Sequence, residues 1–403
     1  MHTSGRQPIH TVYGGAHLFK ADTAAKLGAT ALRVMNEHAP DAGALAAAID
    51  LPQALAERVY ARVKEKLTRE AVEDFRLDFE DGYGNRPDAE EDGHAQSAAA
   101  EVATGARNGT LPPFIGIRIK NLGDELRGRA LRTAHLFIDT LLKQTGGTLP
   151  SNFVVTLPKI TAAPQVHALA EAFDRLEASH HLPPGSLRME LMVETPYSIF
   201  DETGAVALPR LVREGRGRVT AAHFGTYDYT ASLGITAAFQ HMRHPVCDFA
   251  RGVMQVALAG TGVWLSDGAT NVLPVGTDRA VIHRAWKQHH DDIRHSLTNG
   301  FYQGWDLHPA QLVTRYAAVY AFFLESLDAA SERLRNFIAR AAQATLVGEV
   351  FDDAATGQGL LNFFLRALNC GAVKEDEIGA LTGLTLEELR GASFVKIVQG
   401  RRA

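Results

Sequence analysis

Carboxylates and cations recur at the ends of short apolar runs in this chain, and their types suit one kind of chemistry. Glu80 and Asp81 close the run FRLDFED (75–81), and Gly82, Gly84 and Asn85 follow as turn formers. Arg118 and Lys120 end FIGIRIK (114–120), Lys159 ends FVVTLPK (153–159) and Glu194 ends RMELMVE (188–194). Asp228 follows in FGTYDYTASLG, Asp267 in GVWLSDG and His308 in YQGWDLH. Gathered carboxylates need a compensating cation, and a bound metal ion is the economical one. Mg2+ takes one or two protein carboxylates and keeps its other positions for water and substrate. Glu194, fixed ahead of Pro196, and Asp228, in the loop after Gly225, make such a pair, with room for a bidentate 2-oxo acid. Taken singly, each reads as a helix cap or an arginine partner; their occurrence with the other strand ends favours the metal.

Such a site suits the breaking of a C–C bond beta to a carbonyl, which leaves an enolate whose charge must be stabilised as it forms. Mg2+ as Lewis acid and Arg118 are suited to that task. An arginine fork spans a carboxylate and an enolate oxygen while staying charged. The backbone N–H groups around Gly225 and Thr226 form a candidate nest for the substrate carboxylate. The base that takes the departing hydroxyl proton is either Asp81, through a metal-bound water, or His308. Lys159 also reads as a Schiff-base lysine, although pairing with a neighbouring carboxylate explains it more simply.

The elements that position these residues repeat. Counting TVY (11–13) and VTAAHFG (219–225), eight runs of strand character occur, and from the second onward their starts are about 30 to 45 residues apart, the length of a strand plus a crossover helix. Apolar residues at helical spacing fill the gaps at 93–107, 126–144, 163–179, 248–259 and 278–297. The pattern predicts an α/β fold, a (β/α)8 TIM barrel with the chemistry at the C-terminal ends of its strands. An open doubly wound sheet is disfavoured because no GxGxxG follows an early strand. Residues 1–311 are assigned to the barrel, with a helical insert at 38–73 after the first strand, and 312–403 to a C-terminal helical appendage.

Bulk properties bound the function. The 403 residues carry 46% hydrophobic and 22% charged side chains and a formal net charge of −5, which disfavours nucleic acid and anionic membrane as partners. Two distant cysteines, Cys247 and Cys370, give no disulfide framework and fit a reducing compartment. No secretory leader or membrane span is read, so a cytoplasmic protein is expected. The acidic Glu375, Asp376 and Glu377 argue against reading GALTGLTLEELRG as a DNA-binding helix pair. The histidines His241, His244, His283, His289, His290 and His295 lack the HExxH or cysteine companions of a zinc site. GGAH (14–17) is too short for a phosphate loop.

Taken in order, FEDG, IRIK, LPK, VET, GTYDYTASLG, SDG and HPAQ resemble the citrate lyase beta-subunit and malyl-CoA lyase family over residues 75–311. The resemblance implies a metal-dependent carbon–carbon lyase or aldolase of the phosphoenolpyruvate/pyruvate barrel superfamily. It implies Glu194 and Asp228 as ligands of Mg2+ (Mn2+ as the alternate), and Arg118 on the substrate's oxo group. Glu80 and Asp81 would hold metal-bound water and orient Arg118, and a homotrimer or homohexamer is expected. The C-terminal lid of such enzymes can act across subunits, which makes Asp352 and Asp353 candidates for a neighbour's site. The chain departs from the family at its first strand, where TVYGGAHLF replaces an Arg-Ser pair beside the CoA end of the substrate, and on the next crossover helix. The expected substrate is therefore a small 2-oxo or hydroxy acid, with use of a CoA thioester left open. Two rivals share the site: phosphoenolpyruvate-type phosphoryl transfer or acyl-CoA hydrolysis, and a catalytically idle metabolite-binding barrel.

Overall fold

The computed structural model describes residues 6–344 and 354–400. Eight parallel strands close into a barrel in sequence order, as the spacing predicts. They are His10–Gly15 (β1), Asp74–Asp78 (β2), Phe114–Arg118 (β3), Phe153–Leu157 (β4), Arg188–Val193 (β5), Val219–Phe224 (β6), Trp264–Ala269 (β7) and Gln303–Asp306 (β8). Closure pairs His10 with Gly304 and Val12 with Asp306. Between β1 and β2 the chain forms three helices, Thr23–His38, Ala42–Ile49 and Gln53–Arg69, of which the last two occupy the expected insert at 38–73. Asp352 and Asp353 lie outside the described residues. Among the described residues no helix is long and apolar enough to cross a membrane.

Alternation along each strand sorts side chains into two faces. On β2, Phe75, Leu77 and Phe79 join the apolar layer beneath the helices, with Ile115, Ile117, Val155, Leu157 and Leu191 from the neighbouring strands. Asp74, Arg76 and Asp78 share the opposite face and point into the barrel. There Arg76 donates to both oxygens of Glu190, at 3.0 and 2.5 Å, and to Thr156 Oγ1 at 3.1 Å, and it pairs with Asp74. Thr11 Oγ1 donates to Asp74 at 2.9 Å, Gln303 donates to Thr11 at 3.1 Å, and Gln7 donates to Gln303 at 3.1 Å. The closed end of the barrel is thus filled by a hydrogen-bonded polar chain. A small apolar cluster of Met192, Ala269 and Trp305, packed by Tyr13, forms the other part of the filling.

The helices after β8 pack on the crossover helices and under the strands' N-terminal ends. Helix Gln311–Glu325 packs between helices Gln53–Arg69 and Arg279–Thr298. Helix Ala354–Cys370 reaches beneath β1 and β8, where Arg366 meets Gln7 and Tyr302. Arg62 forks onto Glu377 at 2.7 and 2.8 Å and ties the segment to the β1–β2 crossover. Cys247 and Cys370 are free and buried.

Candidate active site

At the C-terminal ends of the strands a cavity of about 400 Å³ opens, with Arg118, Glu194 and Asp228 in its wall. The turn after β2 explains how Arg118 is set. Asp78, the last β2 residue, accepts the backbone N–H of Glu80 at 2.9 Å and of Gly82 at 2.7 Å, which folds the chain back. The same carboxylate takes Arg118 Nε at 2.7 Å and Nη2 at 2.5 Å. The guanidinium also lies 4.9 Å over the Tyr13 ring, a cation–π contact. Two of its three nitrogens are therefore fixed from behind. The third, Nη1, faces Glu80 at 3.4 Å and Asp81 at 3.6 Å. Asp78, which the sequence reading passed over, is the residue that orients Arg118; Glu80 and Asp81 lie further off.

Lys159 follows β4 with a backbone φ of 47°, in the left-handed region. That turn sends its N–H to Glu194 Oε1 at 2.7 Å and its ammonium into the acidic cluster. There the ammonium pairs closely with Glu80, and it lies 3.0 Å from Asp81 and 3.6 Å from Asp228. Burial works against its charge, but Glu80, Glu194 and Asp228 outweigh burial and push its pKa up. This close pairing with Glu80 and Asp81 matches the simpler of the two sequence readings of Lys159, a lysine paired with neighbouring carboxylates. Burial pushes the Glu80 carboxyl up to about 7 against the pull of Arg118 and Lys159. Asp81 goes the other way: its hydrogen bond with Glu80 and the Arg118 and Lys159 charges overcome burial and hold it low.

Glu194 stands at the end of β5, 1% exposed, where burial first and the Asp228 charge second push its carboxyl up to about 8. Gly225 makes the space: a Cβ there would lie 2.4 Å from Glu194 Oε2 and 2.6 Å from its Cβ. The Gly225 N–H donates to the Val193 carbonyl at 3.0 Å. That donor is committed to the sheet and so is withdrawn from the expected carboxylate nest; Gly225 serves the site by its missing side chain. Thr226 directs its hydroxyl to Met242 Sδ at 3.1 Å and starts the short helix Thr226–Ser232, whose first turn carries Asp228.

Three expected members of the cluster sit elsewhere. Lys120, beyond the end of β3, donates to Phe79 O at 2.7 Å and pairs with Glu91 at 2.8 Å, behind the barrel wall. Asp267 lies within an irregularity in the β7–β8 register and faces the helices, accepting Arg251 Nη1 at 2.7 and 2.9 Å and Ser296 Oγ at 2.6 Å. His308 accepts the Ala310 N–H at 3.2 Å and so caps the following turn; its neighbour Leu307 lines the cavity. Conversely, Tyr13, Trp305 and Tyr227 form an aromatic wall that sequence reasoning missed. Alternation signalled the first two, since Tyr13 shares a face with Thr11 and Trp305 with Gln303.

Glu194 and Asp228 line the cavity as carboxylates, together with Asp78 and Asp81. Among the described residues no group of three or more His, Cys, Asp or Glu side chains is arranged as a metal cage. Carboxylate oxygens such as those of Glu194 and Asp228 fit a hard cation that completes its shell with substrate and water, as Mg2+ does.

A family model described as "Domain of unknown function (DUF6986)" matches residues 2–397. No curated protein matches the chain. Among solved structures, a citrate lyase from Burkholderia xenovorans LB400 aligns at a TM-score of 0.56 and 18% identity, over 93% of this chain and 96% of that one. Haloferax volcanii malate synthase aligns at a TM-score of 0.50 and 16% identity, over 97% and 96% of the two chains. Its magnesium/glyoxylate complex aligns at 0.50 and 15%, over 98% and 97%. At these identities the likeness is one of fold.

Proposed function

Because the chain belongs to the family described as Domain of unknown function (DUF6986), we propose its chemistry from the site itself: a divalent-metal-dependent carbon–carbon lyase or aldolase acting through an enolate on a small 2-oxo or hydroxy acid. The observation that carries the reading is Arg118, fixed by Asp78 with its third nitrogen facing Glu80 and Asp81, in the wall of the cavity that Glu194 and Asp228 also line. Mg2+, with Mn2+ as the alternate, would be held by those two carboxylates and would act as a Lewis acid toward the substrate. Arg118 Nη1 donates to the oxygen on which enolate charge develops, a preformed donor that needs no reorganisation. Asp81, held ionised and lining the cavity, accepts the hydroxyl proton as the C–C bond breaks and its electron pair enters the enolate. Lys159 balances the acidic cluster throughout. The backbone N–H of Thr226 is assigned to the substrate carboxylate. The magnesium/glyoxylate complex of the malate synthase with this barrel supports a 2-oxo acid as ligand class.

The test is release of pyruvate, glyoxylate or acetyl-CoA from a panel of hydroxy acids and their CoA thioesters, with Mg2+ and then with EDTA. Cleavage of free acids that EDTA abolishes is the expected result. Cleavage of thioesters only would keep the lyase and restore CoA to the site. Turnover indifferent to EDTA, or none at all, would overturn the reading.

Gly225→Ala tests the ligand assignment separately. The added methyl meets the Glu194 carboxylate, and displacing a ligand's support costs roughly 10- to 100-fold in metal affinity. A Mg2+ activation curve should move to higher concentration by that factor; an unmoved curve would remove Glu194 from the ligand set.

A further inference from the structure

At the closed end of the barrel one half-buried cation lacks, among the described residues, the carboxylate partner that the buried arginines have. Arg62, Arg76, Arg118, Arg218, Arg251 and Arg315 are all buried, and each is paired with a carboxylate within 4 Å. Arg366, on helix Ala354–Cys370, has no such carboxylate among the described residues. Its guanidinium lies 3.9 Å over the Tyr302 ring. Its one hydrogen bond among the described residues goes to Gln7 Oε1 at 3.4 Å, near the outer limit of a real bond. Burial pulls its pKa down, and no carboxylate charge opposes that pull. A guanidinium partly withdrawn from water and without a carboxylate keeps donors free for an anion from outside.

Arg366 stands where two cavities meet. One, of about 130 Å³, lies between the barrel floor and the C-terminal helices. The other, of about 300 Å³, runs out beneath β7, and the two share Gln7, Trp264, Tyr302 and Arg366. The inner cavity is walled by Ile9, Val319, Phe323 and Leu365, and it is also lined by Asn362 and Asn369. Asn369 makes no side-chain hydrogen bond among the described residues. Asn362 accepts from Gln358 at 3.0 Å, which leaves its own N–H groups to donate. One fixed guanidinium, two amide donors and apolar walls suit a single negative charge on a small carbon body.

We propose that this cavity binds a short-chain organic monocarboxylate, its carboxylate forked on Arg366 and its carbon chain against Ile9, Val319 and Phe323. The site is separate from the one at the mouth and does not depend on the reaction there. A phosphate dianion suits it less, because Arg366 is the one cationic side chain among the cavity's lining residues. Occupancy would clamp the C-terminal helices to the barrel floor and raise the thermal midpoint by mass action.

The experiment is calorimetric titration of the full chain, in EDTA, with acetate, butyrate, hexanoate and inorganic phosphate as probes. Butyrate or hexanoate should bind saturably, and more tightly than phosphate. Arg118→Lys, altered only at the mouth, should retain that binding. Arg366→Met should weaken it roughly tenfold or more, the worth of a charge-assisted fork. Arg366→Lys, which keeps the charge and the fold but loses the fork, should fall between the two. The proposal fails if wild type shows no saturable binding, if Arg366→Met and Arg366→Lys both bind as wild type does, if phosphate binds more tightly than the carboxylates, or if Arg118→Lys abolishes the binding.

Discussion

Arg118→Lys is expected to lower kcat by roughly 10²- to 10³-fold while leaving a folded chain, the cost of removing a preorganised donor to developing negative charge. The substitution isolates geometry from charge. Arginine satisfies Asp78 with Nε and Nη2 and still presents Nη1 beside Asp81. A lysine ammonium is a single point on a flexible stem, and it must either pair with Asp78 or reach the substrate. Because Asp78 keeps a cation nearby, the penalty of a buried unpaired carboxylate is avoided and the melting temperature should change little. The loss should fall on kcat more than on KM, since the enolate charge that Nη1 meets exists only as the bond breaks. Steady-state kinetics on whichever acid the panel selects would decide it. A kcat within threefold of wild type would remove Arg118 from the reacting centre.

Glu190→Ala should produce the largest loss of stability, about 3–5 kcal/mol, because it strands part of a buried ion network. Glu190 accepts both Arg76 Nε and Nη2 inside the barrel, and His223 Nε2 lies 3.5 Å from it. Burial alone would push the Glu190 carboxyl up, but Arg76 and then His223 outweigh it and hold the pKa well below the ordinary 4.5. The sign follows: a depressed carboxylate contributes stability fully above its unfolded value and loses it as pH falls through the folded one. The wild-type advantage over Glu190→Ala should therefore be full at neutral pH and should shrink progressively as the pH falls below the ordinary 4.5 toward the depressed folded value. Urea or thermal denaturation of both proteins across that range measures it. Equal midpoints at neutral pH would mean that water replaces the carboxylate at no cost.

The barrel was legible because its strands recur at nearly even spacing and end in polar residues, and the gathering of Arg118, Glu194 and Asp228 follows from that frame. What escaped has physical reasons. In RLDFED both faces of the strand are buried, so alternation could not say whether Asp78 or the following Glu80–Asp81 pair met Arg118. Asp267 was misplaced because β7 and β8 slip in register between Ser266 and Ala269, and local sequence carries no record of such a slip. Lys120 was misplaced because β3 stops at Arg118, after which period-two counting no longer applies. The Arg76–Glu190 pair joins residues 114 positions apart, beyond any local pattern. The helical character of the C-terminal segment could be read, but not the end of the barrel on which it docks.

That docking has a practical corollary. Gln7 and Ala392 line the same cavity, so the first and last segments of the described chain lie near one another on the side facing away from the mouth. A surface tether or a reporter attached on that side would leave the mouth unobstructed. Neighbouring ends are also the condition under which a chain can be closed head to tail and reopened at a surface loop. This barrel is therefore suited to being re-cut at a crossover, with its reacting residues still on one continuous rim.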